Sequence, residues 1–351
     1  MYPHVIPPIS HDAARAARAR IDDLTKPQGS LGRLEELAER LCAIAGGLPA
    51  HRYERRAVLV GAGDHGVVRE GVSAYPAEVT PQMVGAFLGG FAAINALARA
   101  ARAEVFVANF GVAADLPRHE RLLETPVGRG TANLAREAAM PPEAVDAALA
   151  AGARAFRWVC ERCDPQVIAL GEMGIGNTTS AAAMICAFTG AAPEDVVGRG
   201  TGVDDEGLQR KRAAVAAGLE RARGRDWRTV ASEVGGYEIV GLAGALLAAA
   251  QARVPILLDG FIVAASALLA QRIAPNAVDY CIAAHRSRER GHEIALRALG
   301  LRPLLDLDLR LGEGSGAALA FGLVEAAARM LCEMKTFAEA GVATASERAP
   351  A

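Results

Sequence analysis

Aromatic residues make up only 5% of this 351-residue chain, although 52% of it is hydrophobic. A core with so few large rings has to be assembled from Ala, Leu, Val and Ile. No sign of charge dominates: 38 basic and 40 acidic residues are interspersed, for a formal net charge of −2. That balance argues against a nucleic-acid partner. Long apolar runs are also missing, the longest being Ile239–Ala250, which is too short for a bilayer and broken by glycines. The opening MYPHVIPPIS has no charged segment followed by an apolar stretch, so it does not read as a signal peptide. Cysteines come close together once, at Cys160-x-x-Cys163, without the second pair a zinc ribbon needs. A redox pair ordinarily follows a strand, whereas this one ends a helical stretch. The expectation is a cytoplasmic protein with reduced thiols, no membrane partner and no metal.

One grammar recurs along the chain: a short apolar strand, a loop of small and polar residues, then an alanine-rich helix. Strands are expected at Ala57–Val60, Glu104–Ala108, Gln166–Leu170, Pro255–Leu258, Val278–Ala283 and Leu304–Leu309. Strands alternating with helices imply parallel βαβ units, and hence an α/β fold with a doubly wound, mostly parallel six-stranded sheet. Residues 10–45 read as two helices, with Ser10 and Asp12 as candidate caps of the first, and Ala317–Ala340 as a final helix with no strand after it. The chain is therefore expected to divide into an α/β domain over 54–312 and a small helical subdomain from 1–53 plus 313–351. The tail after Gly341 is expected to fray. Lys26, in the loop between the first two helices, is open as a ligand to a distant anion but reads first as a solvated lysine.

Ligands of doubly wound sheets bind beyond the carboxyl ends of the strands. The loop Gly171–Gly176 there carries three glycines into Asn177-Thr178-Thr179-Ser180. Converging backbone N–H groups and a helix N-terminus make a cradle for a phosphate, with Glu172 at its rim facing a cation or a proton. The pattern matches neither the dinucleotide fingerprint nor the Walker loop. Glu313, in Gly312-Glu313-Gly314-Ser315-Gly316, has room for a substrate to approach, and partial desolvation raises a carboxylate toward a useful general base. A helix-capping glutamate is the rival reading. Asp64-His65 is open as a catalytic dyad or a loop brace; no second histidine stands at ligand spacing for a metal. His285, Arg286, Ser287 and Arg288 follow a strand and are open as phosphate ligands or as a solvated basic loop. Lys211, beyond the loop Gly198–Asp204, is open as a phosphate or leaving-group contact or as a surface lysine.

Together these motifs resemble one family, the nicotinate-nucleotide–dimethylbenzimidazole phosphoribosyltransferases of cobalamin lower-ligand synthesis. The resemblance runs through LTKPQGSLGRLE (Leu24–Glu35), GDHGV (Gly63–Val67), EGVSAYPAEVTPQMV (Glu70–Val84) and GEMGIGNTTSAA (Gly171–Ala182). It continues in LLDGFI (Leu257–Ile262), AHRSRERGH (Ala284–His292) and RLGEGSGAALA (Arg310–Ala320). Gln28 stands where many relatives carry a second proline. The resemblance implies a Rossmann-like α/β domain, a homodimer, no cofactor, and transfer of phosphoribose from nicotinate mononucleotide to 5,6-dimethylbenzimidazole. It implies Glu313 as general base, with Glu172 and Lys211 close to the reacting groups. Ser73 and Gln82 would lie by the benzimidazole, and Gly174, Ile175, Gly176, Asn177, Ser287, Leu311, Gly314, Ser315 and Gly316 by the phosphoribosyl group. A nucleotide glycosidase would have no need of a second aromatic pocket in Ser73–Val84, and a non-catalytic carrier of α-ribazole-type ligands would release no nicotinate.

Overall fold

The computed structural model of the chain describes residues 5–343. Helices α1 (His11–Asp23) and α2 (Arg33–Ala45) precede strand β1 (Arg56–Gly63), and α3 (Val79–Leu88) and α4 (Ala93–Ala100) lead to β2 (Glu104–Gly111) and β3 (Leu122–Glu124). Helix α5 (Pro142–Cys163) feeds β4 (Val167–Met173), followed by α6 (Asn177–Thr189), α7 (Pro193–Val196), α8 (Asp205–Ala222), α9 (Trp227–Val234) and α10 (Tyr237–Gln251). Then come β5 (Ile256–Leu258), α11 (Phe261–Ile273), β6 (Cys281–Ala283), α12 (His292–Leu299), α13 (Ser315–Glu333) and α14 (Phe337–Ala340). Two compact units result, one from residues 5–7 and Arg55–Ala320, the other from Pro8–Glu54 and residues 321–343. The expected fraying after Gly341 falls, beyond residue 343, outside the described residues.

The first unit is built on a six-stranded sheet of order β3-β2-β1-β4-β5-β6, parallel throughout. All eight residues of β1 are buried, as a strand covered on both faces must be. On one face α10 packs over Gly61, beside Leu242; on the other, Val58 lies against Gly314 at the start of α13. The doubly wound α/β sheet expected from the sequence is thus present, with three local differences.

The central strands run further than their apolar stretches. In β4 the ladder continues through Gly171, Glu172 and Met173, which pair with Val60, Gly61 and Ala62. Glu172 therefore sits on a strand, not in a loop. Hydropathy stops at Gly171, but the neighbouring strand supplies hydrogen-bond partners past that point.

The expected strand Leu304–Leu309 does not form. Leu304 and Leu305 donate to the carbonyls of Ala283 and Ala284 at 3.0 Å, and His285 and Leu305 make a single bridge. Asp308 then turns to φ +57°, outside the strand region. Its place in the count is taken by the three-residue edge strand β3, too short to leave an apolar signature. Of the expected strand Val278–Ala283, the first three residues belong to a 3-10 turn, Pro275–Tyr280.

In the second unit Ser10 caps α1 as expected, its hydroxyl accepting from Ala13 N at 3.1 Å. Lys26 is not solvated. Its Nζ lies 2.8 Å from Glu35 Oε1, and Glu35 also accepts from Arg18 Nη1 and from Leu31 N, each at 3.1 Å. A buried carboxylate this well supplied with donors keeps its charge, and the Glu35 carboxyl lies below the usual range: its bonds to Lys26, Leu31 and Arg18 outweigh burial, which alone would raise it. The expected helix Ala317–Ala340 is two helices: α13 stops at Glu333, and Thr336 with Glu339 forms a capping box that starts α14.

Small residues let helices approach closely where aromatics would hold them apart. An added methyl at Gly152 of α5 would fall 1.7 Å from the carbonyl oxygen of Gly241 in α10. No rotamer relieves a clash with backbone, so Gly152→Ala should lower unfolding free energy by about 3 kcal/mol or more. Gly85→Ala, where nothing lies within 4 Å, should instead raise it by up to ~1 kcal/mol. Denaturant unfolding of both variants measures the contrast.

Candidate active site

The carboxyl ends of β1, β4 and β5 carry buried acids. Glu172 ends β4, Asp259 follows β5, Glu238 lies in the first turn of α10, and Glu313 precedes α13. All four are at most 6% exposed. Asn177, the first residue of α6, donates its amide to Glu172 Oε2. Burial first, then the charges of Asp259, Glu238 and Glu313, push the Glu172 carboxyl up to about 8, against the opposing bond from Asn177. Glu313 is raised as well, by burial and by the Asp259 charge, while the backbone N–H of Ile94, donated at 3.3 Å, pulls the other way.

Glu313 is held in an unusual backbone state. Its φ is +64°, between Gly312 at +90° and Gly314 at +87°. A glutamate there costs on the order of 1–2 kcal/mol, and three successive left-handed residues require glycine on either side. Asp259 secures this turn: its Oδ2 accepts from Gly314 N at 3.1 Å and its Oδ1 from Gly316 N at 2.8 Å and Ala317 N at 3.0 Å. The amides that the sequence offers to a phosphate at Gly314 and Gly316 are therefore occupied by an internal carboxylate. Ser315 N donates to Gly312 O, and the buried Ser315 hydroxyl has no partner among the described residues.

The glycine loop after β4 is also partly committed. Ile175 N donates to Thr80 Oγ1 at 3.1 Å, Gly174 lies against the Gly63 carbonyl, and Gly176, at φ +94°, opens α6 without a side-chain cap. His65 does not pair with Asp64. Its Nε2 is 2.6 Å from Glu238 Oε1, both side chains fully buried, while Asp64 accepts from Ala113 N. This is the loop brace of the two readings.

A second cluster adjoins Asn177 through Thr178. Lys211, 1% exposed, donates from Nζ to Thr178 Oγ1 at 2.9 Å, and burial lowers it to about 8 against the charge of Glu289. An added methyl on Gly200 would fall 2.7 Å from that Nζ, and Arg310 donates to Gly200 O. Lys211 is thus no surface lysine. Thr201, next along, accepts from Ala74 N and lies 3.2 Å from Ser73 Oγ, which ties the Ser73 loop to the same cluster. Gln82 stands exposed on α3, and Leu311 is 55% exposed.

The stretch after β6 divides. His285 and Ser287 are buried, His285 Nε2 lying 3.5 Å from Asp259 Oδ1. Arg286 and Arg288 point away and pair with Asp306 and Asp308. His292 accepts from Ser287 N through Nδ1, and burial beside His285 lowers it to about 3, so it is neutral. Sequence reasoning passed over Asp259, Glu238, Glu289 and Thr178. For Asp259 a signal existed, a lone acid directly after a strand in LLDGFI. Glu238 and Glu289 sit among ordinary helix and loop charges and give none. Cys160 and Cys163 lie at the C-terminal end of α5, with burial raising them to about 11 and 12, far from reactive thiolates.

A parallel sheet with four buried acids at its strand ends and a buried lysine in the adjoining cluster is the setting of an enzyme active site. The chain belongs to the phosphoribosyltransferase family DBI_PRT, whose profile matches residues 6–342. It is 52% identical over 346 residues, 97% of each chain, to a Chloroflexus aggregans protein named nicotinate-nucleotide–dimethylbenzimidazole phosphoribosyltransferase. It is 55% identical over 327 residues to the Thermus thermophilus protein of the same name, covering 93% of this chain and 97% of the relative. A crystal structure carrying that enzyme name, also from Thermus thermophilus, superposes with a TM-score of 0.91 at 52% identity, over 96% of this chain and 100% of the other.

The Glu172 carboxyl is raised in the folded state, so its favourable contribution is present at acid pH and is lost as pH rises through about 8. Glu172→Gln, which removes the buried charge, should match wild-type stability near about pH 5 and exceed it near about pH 8 by on the order of 3 kcal/mol. Urea unfolding at the two pH values checks this.

Proposed function

We propose that this chain moves 5-phosphoribose from nicotinate mononucleotide to 5,6-dimethylbenzimidazole, giving α-ribazole 5′-phosphate and nicotinate for the nucleotide loop of cobalamin. Relatives at 52% and 55% identity over nearly their full lengths carry that enzyme's name. The observation that carries the reading is Glu313: a buried carboxylate of raised proton affinity, fixed at positive φ at the ligand-binding end of the sheet.

The chemistry fits such a group. The bond from ribose C1′ to the pyridinium nitrogen breaks, and its electron pair leaves with a ring that becomes neutral, so no metal is needed to offset a departing anion. The benzimidazole forms the new bond to C1′ through one nitrogen while its other nitrogen gives up a proton, which Glu313 accepts. Attack from the opposite face turns the β linkage into α. An ionised carboxylate at Glu313 also favours the positive charge that develops on the ribose.

In this reading Ser73 and Gln82 lie by the benzimidazole. Gly174–Asn177, Ser287, Leu311 and Ser315 hold the phosphoribosyl group. Gly314 and Gly316, their amides engaged by Asp259, form its wall. Lys211 supplies positive charge near the leaving nicotinate or the phosphate. In this reading the enzyme acts without a cofactor, as a cytoplasmic homodimer.

Nicotinate release, followed with and without dimethylbenzimidazole, tests the proposal. Release should require the acceptor and fall by ~10²–10⁴-fold in kcat for Glu313→Gln. Release without acceptor would mean a glycosidase, and ligand binding with no release a carrier. With Lys211 lowered to about 8, kcat/KM should decline on the alkaline side around that pH, and Lys211→Arg should move the decline upward.

A further inference from the structure

We infer that Asp259 is a positioning residue for the catalytic base, fixing Glu313 through three backbone N–H groups, with His285 holding Asp259 in turn. The inference rests on the reading of Glu313 as base and goes beyond it to what sets that base in place.

Glu313 reaches its position only through a run of three left-handed residues, a backbone state that the chain does not hold unaided. A turn of this kind lines up successive amides as a nest for an anion. In this chain the anion is built in. Asp259 Oδ2 takes Gly314 N, immediately after Glu313, and Oδ1 takes Gly316 N and Ala317 N in the first turn of α13. Both oxygens are used, at 2.8–3.1 Å, in a side chain 1% exposed. Behind Asp259, His285 Nε2 lies 3.5 Å from Oδ1, and Gly316 is packed so closely on that ring that an added methyl would fall 2.0 Å from it. Under the turn, Gly171 of β4 packs on the Glu313 carbonyl, which an added methyl would meet at 2.4 Å. The base is therefore set from three strands: β4 beneath it, Asp259 after β5, and His285 after β6.

A neutral isostere cannot reproduce this. With Asn at position 259, one oxygen still accepts from Gly316 and Ala317, but an NH2 group then faces the Gly314 N–H, donor against donor. The hydrogen bond that breaks is the one adjacent to Glu313. Lengthening to Glu keeps the charge but displaces the acceptors. Either change lets the Glu313 turn shift, and a displacement near 1 Å at a catalytic group costs on the order of 10²-fold in rate. Neither removes a side chain that the proposed function places against the substrate.

The test is steady-state nicotinate release with both substrates for wild type, Asp259→Asn, Asp259→Glu and His285→Gln. Thermal melts establish that each variant is folded. Both Asp259 variants should lose on the order of 10²-fold in kcat, with KM for each substrate within about threefold of wild type. His285→Gln should lose roughly tenfold in kcat with KM likewise unchanged. A purely structural role would lower the melting temperature and leave kcat per folded enzyme unchanged. Folded variants with kcat within about threefold of wild type, or with KM raised and kcat kept, overturn the inference. If the Asp259 variants do not fold, His285→Gln decides by the same criteria. Wild type that releases no nicotinate would sink the underlying reading, and this inference with it, before any variant is compared.

Discussion

Four carboxylates buried at one end of a parallel sheet repel one another, and the geometry of this site follows from how the fold relieves that repulsion. Asp259 accepts from three amides, and Glu238 Oε1 lies 2.6 Å from His65 Nε2. Glu172 and Glu313 take one donor each. Glu172 has the Asn177 amide and Glu313 the Ile94 N–H, and the proton affinity of both rises. A single donor does not offset burial at these two carboxyls, while three amides tie Asp259 to the turn that carries Glu313. The same logic in the helical unit gives the opposite result, since Glu35 meets Lys26 and Arg18 and stays ionised.

Much of this was legible in the sequence, for identifiable reasons. Alternation of apolar strands with alanine-rich helices leaves few topologies open, and the loops after the strands mark where ligands belong. Glu172 and Glu313 stood out because each interrupts a run of small residues, and Lys211 because it follows the glycine-rich loop Gly198–Asp204. What escaped was partnership across distant segments. Nothing near Lys26 shows that it will be buried on Glu35, and nothing near Gly314 or Gly316 shows that a residue over fifty positions earlier takes their amides. The expected strand at Leu304–Leu309 failed because hydropathy cannot register a left-handed Asp308. Glu172 was assigned to a loop because a buried acid in a central strand contradicts the hydropathy rule, and functional sites are where such rules are broken.

The scarcity of aromatics and the strain at Glu313 are linked through rigidity. A left-handed glutamate persists only where its surroundings leave no alternative. Backbone against backbone is the least yielding surface a protein has, and Gly171 and Gly314 provide it beside the base as Gly152 and Gly241 do between α5 and α10. A core of larger side chains would keep those backbones apart. Small residues let the site rest on main chain, not on rotamers.

The segment Leu304–Leu309 has one more consequence. A parallel sheet of six strands has two open edges, and an open edge invites another chain to add a strand, the first step of aggregation. Here one edge is β3, three residues long. Beside β6, Leu304 and Leu305 take the free carbonyls of Ala283 and Ala284 without going on to form a strand with an edge of its own. The Arg286–Asp306 and Arg288–Asp308 pairs then line that border with charge. What fails as a seventh strand serves as a hem, closing the sheet to further strands at high protein concentration.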